Sequence, residues 1–192
     1  MSNVIKRDDA MQNFKLLDYV AADLRRAQEL TRGHKTQDLS LRLWLGIFSP
    51  RFLPVFLCRI SYFFYHHRMI ALAKIISLIN FCVFGIEIAV RCPIGKGLFF
   101  PHTQGTVIGA ISIGENATIF QGVTLGALEA DFSYQSSMRP VVEDGVIIGA
   151  GAKVLGGIKL GHYSRVGANA VVLDDVPPEA LAVGVPARIV IK

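Results

Sequence analysis

From Gly85 onward, aliphatic residues return every six positions, and most are followed by a small or acidic residue. The pairs are Ile94-Gly95, Ile113-Gly114, Ile119-Phe120, Leu125-Gly126, Val142-Glu143, Ile148-Gly149, Val154-Leu155, Leu160-Gly161 and Val166-Gly167. A period of six suits neither a helix nor a hairpin sheet. It suits short strands alternating with tight turns, stacked as a solenoid in which each aliphatic residue points inward. Two places break the pattern: one extra residue between Phe100 and Val107, and a longer insertion between Leu125 and Val142 containing "EADFSYQSSMR". Insertions in a solenoid protrude as loops, often on the binding face. The repeat closes at "DDVPPEALAVGVPARIVIK", where Pro177 and Pro178 prevent the next strand and the chain turns away to cap the stack.

Before Gly85 the periodicity is helical. "LLDYVAADLRRAQEL" predicts an amphipathic helix, and "SPRFLPVFLCRISYFFYHHRM" and "IALAKIISLINFCVF" predict two apolar ones, the first starting at Ser49-Pro50. The chain therefore divides into a helical region, 1–84, and a mainly β region, 85–192. The run Met69 to Phe84 carries Lys74 and Asn80 and falls short of the ~20 apolar residues a membrane span requires, so it reads as a buried or interfacial helix. His66 and His67 read as surface residues at a helix end. Charge is asymmetric: residues 1–80 hold twelve Lys/Arg against six acids, whereas 81–192 hold eight against nine. That field suits an anionic partner such as a membrane surface, a phosphate-bearing cofactor or a lipid-linked acceptor, or else a solvated helical face. Nucleic acid is excluded, because the basic residues are scattered and no binding motif accompanies them. Cys58, Cys82 and Cys92 are odd in number and lack CxxC spacing, which reads as reduced core thiols in a cytoplasmic chain. The first residues have acids where a signal peptide would be apolar.

The segments "GIEI", "GKGLFFPH", "TLGA", "IGAGAKVLGGIKLG", "VGANAVVLDDVPP" and "GVPARIV" resemble the serine acetyltransferase group of hexapeptide-repeat acyltransferases, closely over 85–192 and more faintly over the helices. The resemblance implies a left-handed parallel β-helix, an exception to the right-handed crossover rule. It also implies homotrimers, with a dimer of trimers as the larger form, and acetyl-CoA as donor. His102 matches the family's general base, an imidazole suited to taking a hydroxyl proton near neutral pH. Glu87 matches the carboxylate that orients that base, in place of an aspartate. Without the resemblance, a lone histidine in an apolar run reads as a hydrogen-bonded core residue. Gly126, Ala127, Gly151, Ala152 and Ala168 match positions lining the pantetheine arm, where small side chains leave the groove open. Lys153, Arg188 and Lys192 are candidates to neutralise CoA phosphates, or else solvated surface charges. His162 reads as a surface residue at a corner. No cysteine matches a catalytic position, which favours direct transfer over an acyl-enzyme, and no cluster has metal-ligand spacing.

The chain departs from the pattern around the acceptor. Pro101 replaces an aspartate before the base, Ala89 replaces a histidine after "GIEI", and Met138 and Arg139 stand where an arginine and a histidine are expected. An Arg-Asp-Pro-Ala segment and an extended tail ending in isoleucine are missing, which predicts no docking to the next enzyme of cysteine synthesis. These departures point to a saccharide or lipid-linked saccharide acceptor, as in the branch of the group serving polysaccharide synthesis. Phe63, Phe64 and Tyr65 beside Arg59 and Arg68 fit a peripheral contact with the inner face of the membrane, or else packing within a trimer. Serine as acceptor is the alternative, and a non-catalytic scaffold is the alternative of another class.

Overall fold

The computed structural model describes residues 14–32, 46–131 and 133–190. Among these residues three helices come first: α1 (Leu16–Arg32), α2 (Leu53–His66) and α3 (Ile70–Phe84), with a 3-10 turn at Gly46–Phe48. Helix α2 begins at Leu53 rather than at Ser49-Pro50. The Ser49 carbonyl accepts the Phe52 and Leu53 amides in a turn ahead of it, and Pro54 fills the first helical turn, where a missing N–H costs nothing. Helix α3 stops at Gly85, whose left-handed φ of 63° lets its amide close on the Phe81 carbonyl.

Thirteen short strands follow, arranged in three sheets. The first contains β1 (Ile86–Ile88), β2 (Thr106–Ile108), β5 (Thr124–Gly126), β8 (Lys153–Leu155) and β11 (Val171–Val172). The second contains β3 (Ser112–Ile113), β6 (Val141–Val142) and β9 (Lys159–Leu160). The third contains β4 (Thr118–Ile119), β7 (Ile147–Ile148), β10 (Arg165–Val166), β12 (Leu181–Gly184) and β13 (Ala187–Val190). From β2 to β11 the chain visits the three sheets in strict rotation, and every pairing is parallel until β12 meets β13 antiparallel. Pro177 and Pro178 do not stop the stack as expected: they occupy a corner, with Val176 bridging Leu160 in parallel before them and β12 adding to β10 in parallel after them, and only the β12–β13 hairpin closes the third sheet.

Rotation with parallel pairing stacks the repeat's aliphatic residues into three inner columns. Ile88, Ile108, Leu125, Val154 and Val172 form one, Ile94, Ile113, Val142 and Leu160 the second, and Ile119, Ile148, Val166 and Ala182 the third. Apart from Ile88 these residues are at most 3% exposed. The irregular coil corrects the period in one respect. Ile108 faces inward and Val107 outward, because pairing Ile88 with Ile108 fixes the pleat and a one-residue offset reverses the face.

The helices are fastened to the sheets by a buried ion pair. Arg59 on α2 and Asp23 on α1 are 2% and 0% exposed, with Nε to Oδ2 at 2.8 Å and Nη2 to Oδ1 at 3.0 Å. The same guanidinium donates to the carbonyls of Ile94 and Gly95, while Asp23 Oδ1 accepts the Leu98 amide at 2.9 Å. Burial alone would lower the Arg59 pKa, but the charge and hydrogen bonds of Asp23 outweigh that and hold it raised. Arg59 is therefore no part of a basic membrane-facing surface, and among the described residues no helix is long and apolar enough to cross a membrane.

Candidate active site

His102 lies on the turn that leads from Phe100 into β2, exposed behind a half-buried Pro101. The turn is moored to the end of α3. Buried Thr103 donates its hydroxyl to the Phe84 carbonyl at 2.9 Å, and the Gly105 amide donates to the Gly85 carbonyl at 2.9 Å. Two residues beyond Gly85, Glu87 points outward at the centre of β1, in register with Val107 on β2. His102 and Glu87 thus lie on successive passages of chain, both exposed, and no hydrogen bond joins them within the chain.

The other candidates sort by side of the first sheet. Gly151 and Ala168 precede β8 and β11, at corners like the one that carries His102. Gly126 and Ala127 lie at the far end of β5. A Cβ added at Gly126 would meet nothing within 4 Å, so the small residue leaves open space there. At Gly151, with φ of 74°, a Cβ would run into the Asn169 side chain, so its glycine serves the corner itself. Ala152 is fully buried, and its methyl belongs to the core rather than to any groove. Lys153 is half-buried and turned back on the chain, donating to the Gly122 carbonyl at 2.6 Å and to Thr124 Oγ1 at 3.1 Å. Arg188 is exposed on β13, away from the first sheet, and Lys192 lies outside the described residues. His162 is exposed beside Glu143, which accepts its backbone amide at 2.9 Å.

The insertion is a small structure in its own right. Asp131 accepts the amides of Ser133 and Gln135 and the Ser133 hydroxyl, and receives Arg139 Nε at 2.9 Å. Burial would raise the Asp131 pKa, but hydrogen bonds from Ser133, Arg139 and Gln135 hold it below the usual carboxylate range. Arg139 also donates to the Asp131 and Gly109 carbonyls, at 2.8 and 3.1 Å, and lies 4.0 Å over the Tyr134 ring. Tyr134 in turn donates to the Ala110 carbonyl at 2.6 Å. Arg139, a candidate acceptor ligand, thus spends its donors pinning the loop to the turn after β2. Met138 ends the 3-10 turn Ser136–Met138, half-buried next to it. The sequence reading missed this clamp. Its only trace is an acid eight residues before an arginine, bracketing the insertion. Among the described residues no group of three or more His, Cys, Asp or Glu is placed to hold a metal ion.

With this geometry in place, the relatives of the chain become informative. A model of the bacterial transferase hexapeptide (six repeats) matches residues 139–174. A serine acetyltransferase of Bacillus pumilus is 41% identical over 135 residues, 70% of this chain and 61% of the relative. That of Haemophilus influenzae is 35% identical over 181 residues, 93% of this chain and 64% of the relative. The chain thus spans somewhat less than two thirds of these curated relatives. A solved serine acetyltransferase in complex with CoA superposes with a TM-score of 0.77 at 33% identity, covering 95% of this chain and 73% of the other. A Neisseria gonorrhoeae serine acetyltransferase in complex with serine gives 0.78 at 30% identity, covering 96% and 72%. The chain belongs to the hexapeptide-repeat acyltransferases, with serine acetyltransferases as its relatives.

Proposed function

We propose that the protein is an acetyl-CoA-dependent O-acetyltransferase whose acceptor is serine. The observation that carries this reading is the match over nearly the whole described chain to serine acetyltransferases solved with CoA and with serine. Two features of the chain support it: a mobile-proton group, His102, on a turn anchored to the α3–β1 junction, and open space beside Gly126 where a thin pantetheine arm fits. The reading includes a left-handed winding of the three sheets and a trimer of chains, and it replaces the saccharide acceptor as the main expectation.

In this mechanism His102 takes the proton of the acceptor hydroxyl as its oxygen attacks the thioester carbonyl. The tetrahedral adduct collapses with cleavage of the C–S bond, and the imidazolium returns its proton to the departing thiolate, giving CoA and the O-acetyl ester. Glu87, in the part of the carboxylate that accompanies such a base, stabilises the charge of the imidazolium. One observation favours a second acceptor class. Arg139 is committed inside the loop, and together with Pro101 and Ala89 this leaves fewer charged groups for a zwitterion, which suits a saccharide hydroxyl.

Thiol release from acetyl-CoA decides among these readings, measured with L-serine and then with surface oligosaccharide. Turnover with serine that falls ~10²–10⁴-fold in His102→Ala is the expected result. Turnover with the oligosaccharide alone transfers the same chemistry to a sugar, and silence with both acceptors leaves a non-catalytic scaffold.

A further inference from the structure

Arg91 belongs to none of the motifs, yet among the described residues its guanidinium is propped up by the loop without being consumed by it. It sits in the turn just after β1, on the same passage of chain as Glu87, and is exposed. That turn is fixed by the Ala89 amide on the Ile108 carbonyl and the Cys92 amide on the Ala89 carbonyl, both at 2.9 Å. Extending the β1–β2 register by two residues sets Val90 beside Ala110, whose carbonyl holds the Tyr134 hydroxyl. The Arg91 guanidinium lies 4.9 Å from the centre of the Tyr134 ring, a ring that Arg139 also covers at 4.0 Å. Stacking occupies the face of a guanidinium and leaves its N–H edge open. Arg139 uses that edge on Asp131 and Gly109, whereas among the described residues no carboxylate or carbonyl takes the edge of Arg91. A planar fork of donors held in place over an aromatic ring is suited to a bidentate oxyanion.

We propose that Arg91 binds the oxyanion of a substrate, and that this oxyanion is the acceptor's carboxylate. The inference rests on the serine reading above. Two substrates bring oxyanions to such a reaction, the carboxylate of an amino-acid acceptor and the phosphates of CoA, and the guanidinium chemistry alone serves either. Position separates them. The carboxylate is only a few bonds from the reacting hydroxyl, while the pantetheine arm keeps the phosphates far from the thioester. Arg91 shares its passage of chain with Glu87, and three strand residues at ~3.3 Å each separate its corner from that of His102. That is a gap the arginine side chain and a small amino acid together can span.

The test compares wild-type protein with Arg91→Met and Arg91→Lys, in turnover and in calorimetric binding of L-serine. Arg91→Met is expected to raise the KM and Kd for serine by about 10- to 100-fold, the loss expected for a charge-assisted contact. The KM for acetyl-CoA stays within about twofold, and Arg91→Lys recovers part of the loss, because it keeps the charge without the fork. A merely structural role would shift both substrates together and lower the melting temperature. A rise confined to acetyl-CoA overturns the carboxylate assignment and gives Arg91 to a CoA phosphate. Equal serine binding by wild type and Arg91→Met overturns the proposal alone. Wild-type protein that neither binds nor acetylates serine overturns the serine reading and this inference with it.

Discussion

Helix α3 and the sheets bury their side chains by opposite rules. In the sheets, the bulky aliphatic residue of each repeat is inside and nearly inaccessible, while its neighbours carry the polar surface. In α3 the inward positions hold Ala73 and Asn80, with Ser77 half-buried, and the large residues face out: Ile75, Leu78, Ile79, Phe81 and Val83 are 46 to 60% exposed. Asn80 gives its amide to the Pro54 carbonyl at 3.0 Å and Ser61 its hydroxyl to the Ala73 carbonyl at 2.9 Å, so α2 and α3 meet closely through small and polar groups. Small residues allow that close approach, and the polar ones are satisfied by backbone. Within one chain, then, the sheets complete a core to which α1 and α2 add Val20, Leu24 and Val55, whereas α3 is held by directed bonds more than by apolar burial.

The largest expected effect that tests this contrast is at Asp23. Asp23→Ala strands the Arg59 charge in a buried site and removes the partner of the Leu98 amide, and thermal unfolding should show a loss of about 3–5 kcal/mol. A loss below about 1 kcal/mol would mean that the helical layer does not rest on this pair. Next come the sheets: Ile148→Ala, at a fully buried position, should cost about 2–5 kcal/mol in denaturant unfolding. The matched change on α3, Ile75→Ala at 53% exposure, should cost within about 0.5 kcal/mol. A larger loss would break the comparison by showing that α3's outer face is covered in solution.

Thiol chemistry gives a sharper reading at smaller cost. Cys82 is exposed on α3, whereas Cys58 and Cys92 are buried, and burial pushes the Cys58 thiol up to about 11 and that of Cys92 further. Native protein at neutral pH should release one equivalent of chromophore with a thiol reagent, all from Cys82, and a Cys82→Ser variant should release none until unfolded. The smallest effect is confined to the insertion. Because the Asp131 pKa is held down in the folded loop, its contribution is fully present above its unfolded value of ~3.9 and is lost as pH falls through the lower folded value. Protection factors of the Ser133 and Gln135 amides should hold down to about pH 4 and decline only below it; a decline centred near neutral pH would assign the loop's order to another group.

The fold was legible where it depends on a period, and obscure where it depends on partners far apart in sequence. The six-residue repeat located the inner columns, since a side chain's direction follows from its place in the pleat. It misplaced the coil where the turn carrying His102 shifts the phase and brings in Ile108 instead of Val107, and it ended the stack at Pro177-Pro178, where the third sheet still gains β12. The three helices were legible from apolar spacing, but the start of α2 turned on whether Ser49 or Pro54 opens it, which local geometry decides. The Asp23–Arg59 pair was illegible, because each residue reads as a surface charge on its own helix and only their packing makes them partners. Around the candidate site, residue identities came from resemblance, and their states came from the structure. Nothing in the spelling of "GAKVL" says that Lys153 folds back on Gly122, nor does "AVRCP" say that Arg91 will stack on a tyrosine in a loop reached only after two more passages of chain.

The Asp23–Arg59 fastening also bears on inheritance. Gly85 separates two kinds of structure in the sequence, but the groups that fit one another across it are Asp23, Arg59 and the stretch from Ile94 to Leu98. A chimera joined at Gly85 keeps Asp23 and Arg59 together, and the sheets of any relative offer the two carbonyls and the amide they meet, because those groups are backbone. Recombination at that point should therefore leave the fastening intact, whereas a change at Asp23 or Arg59 should be tolerated only beside a matching change in the other.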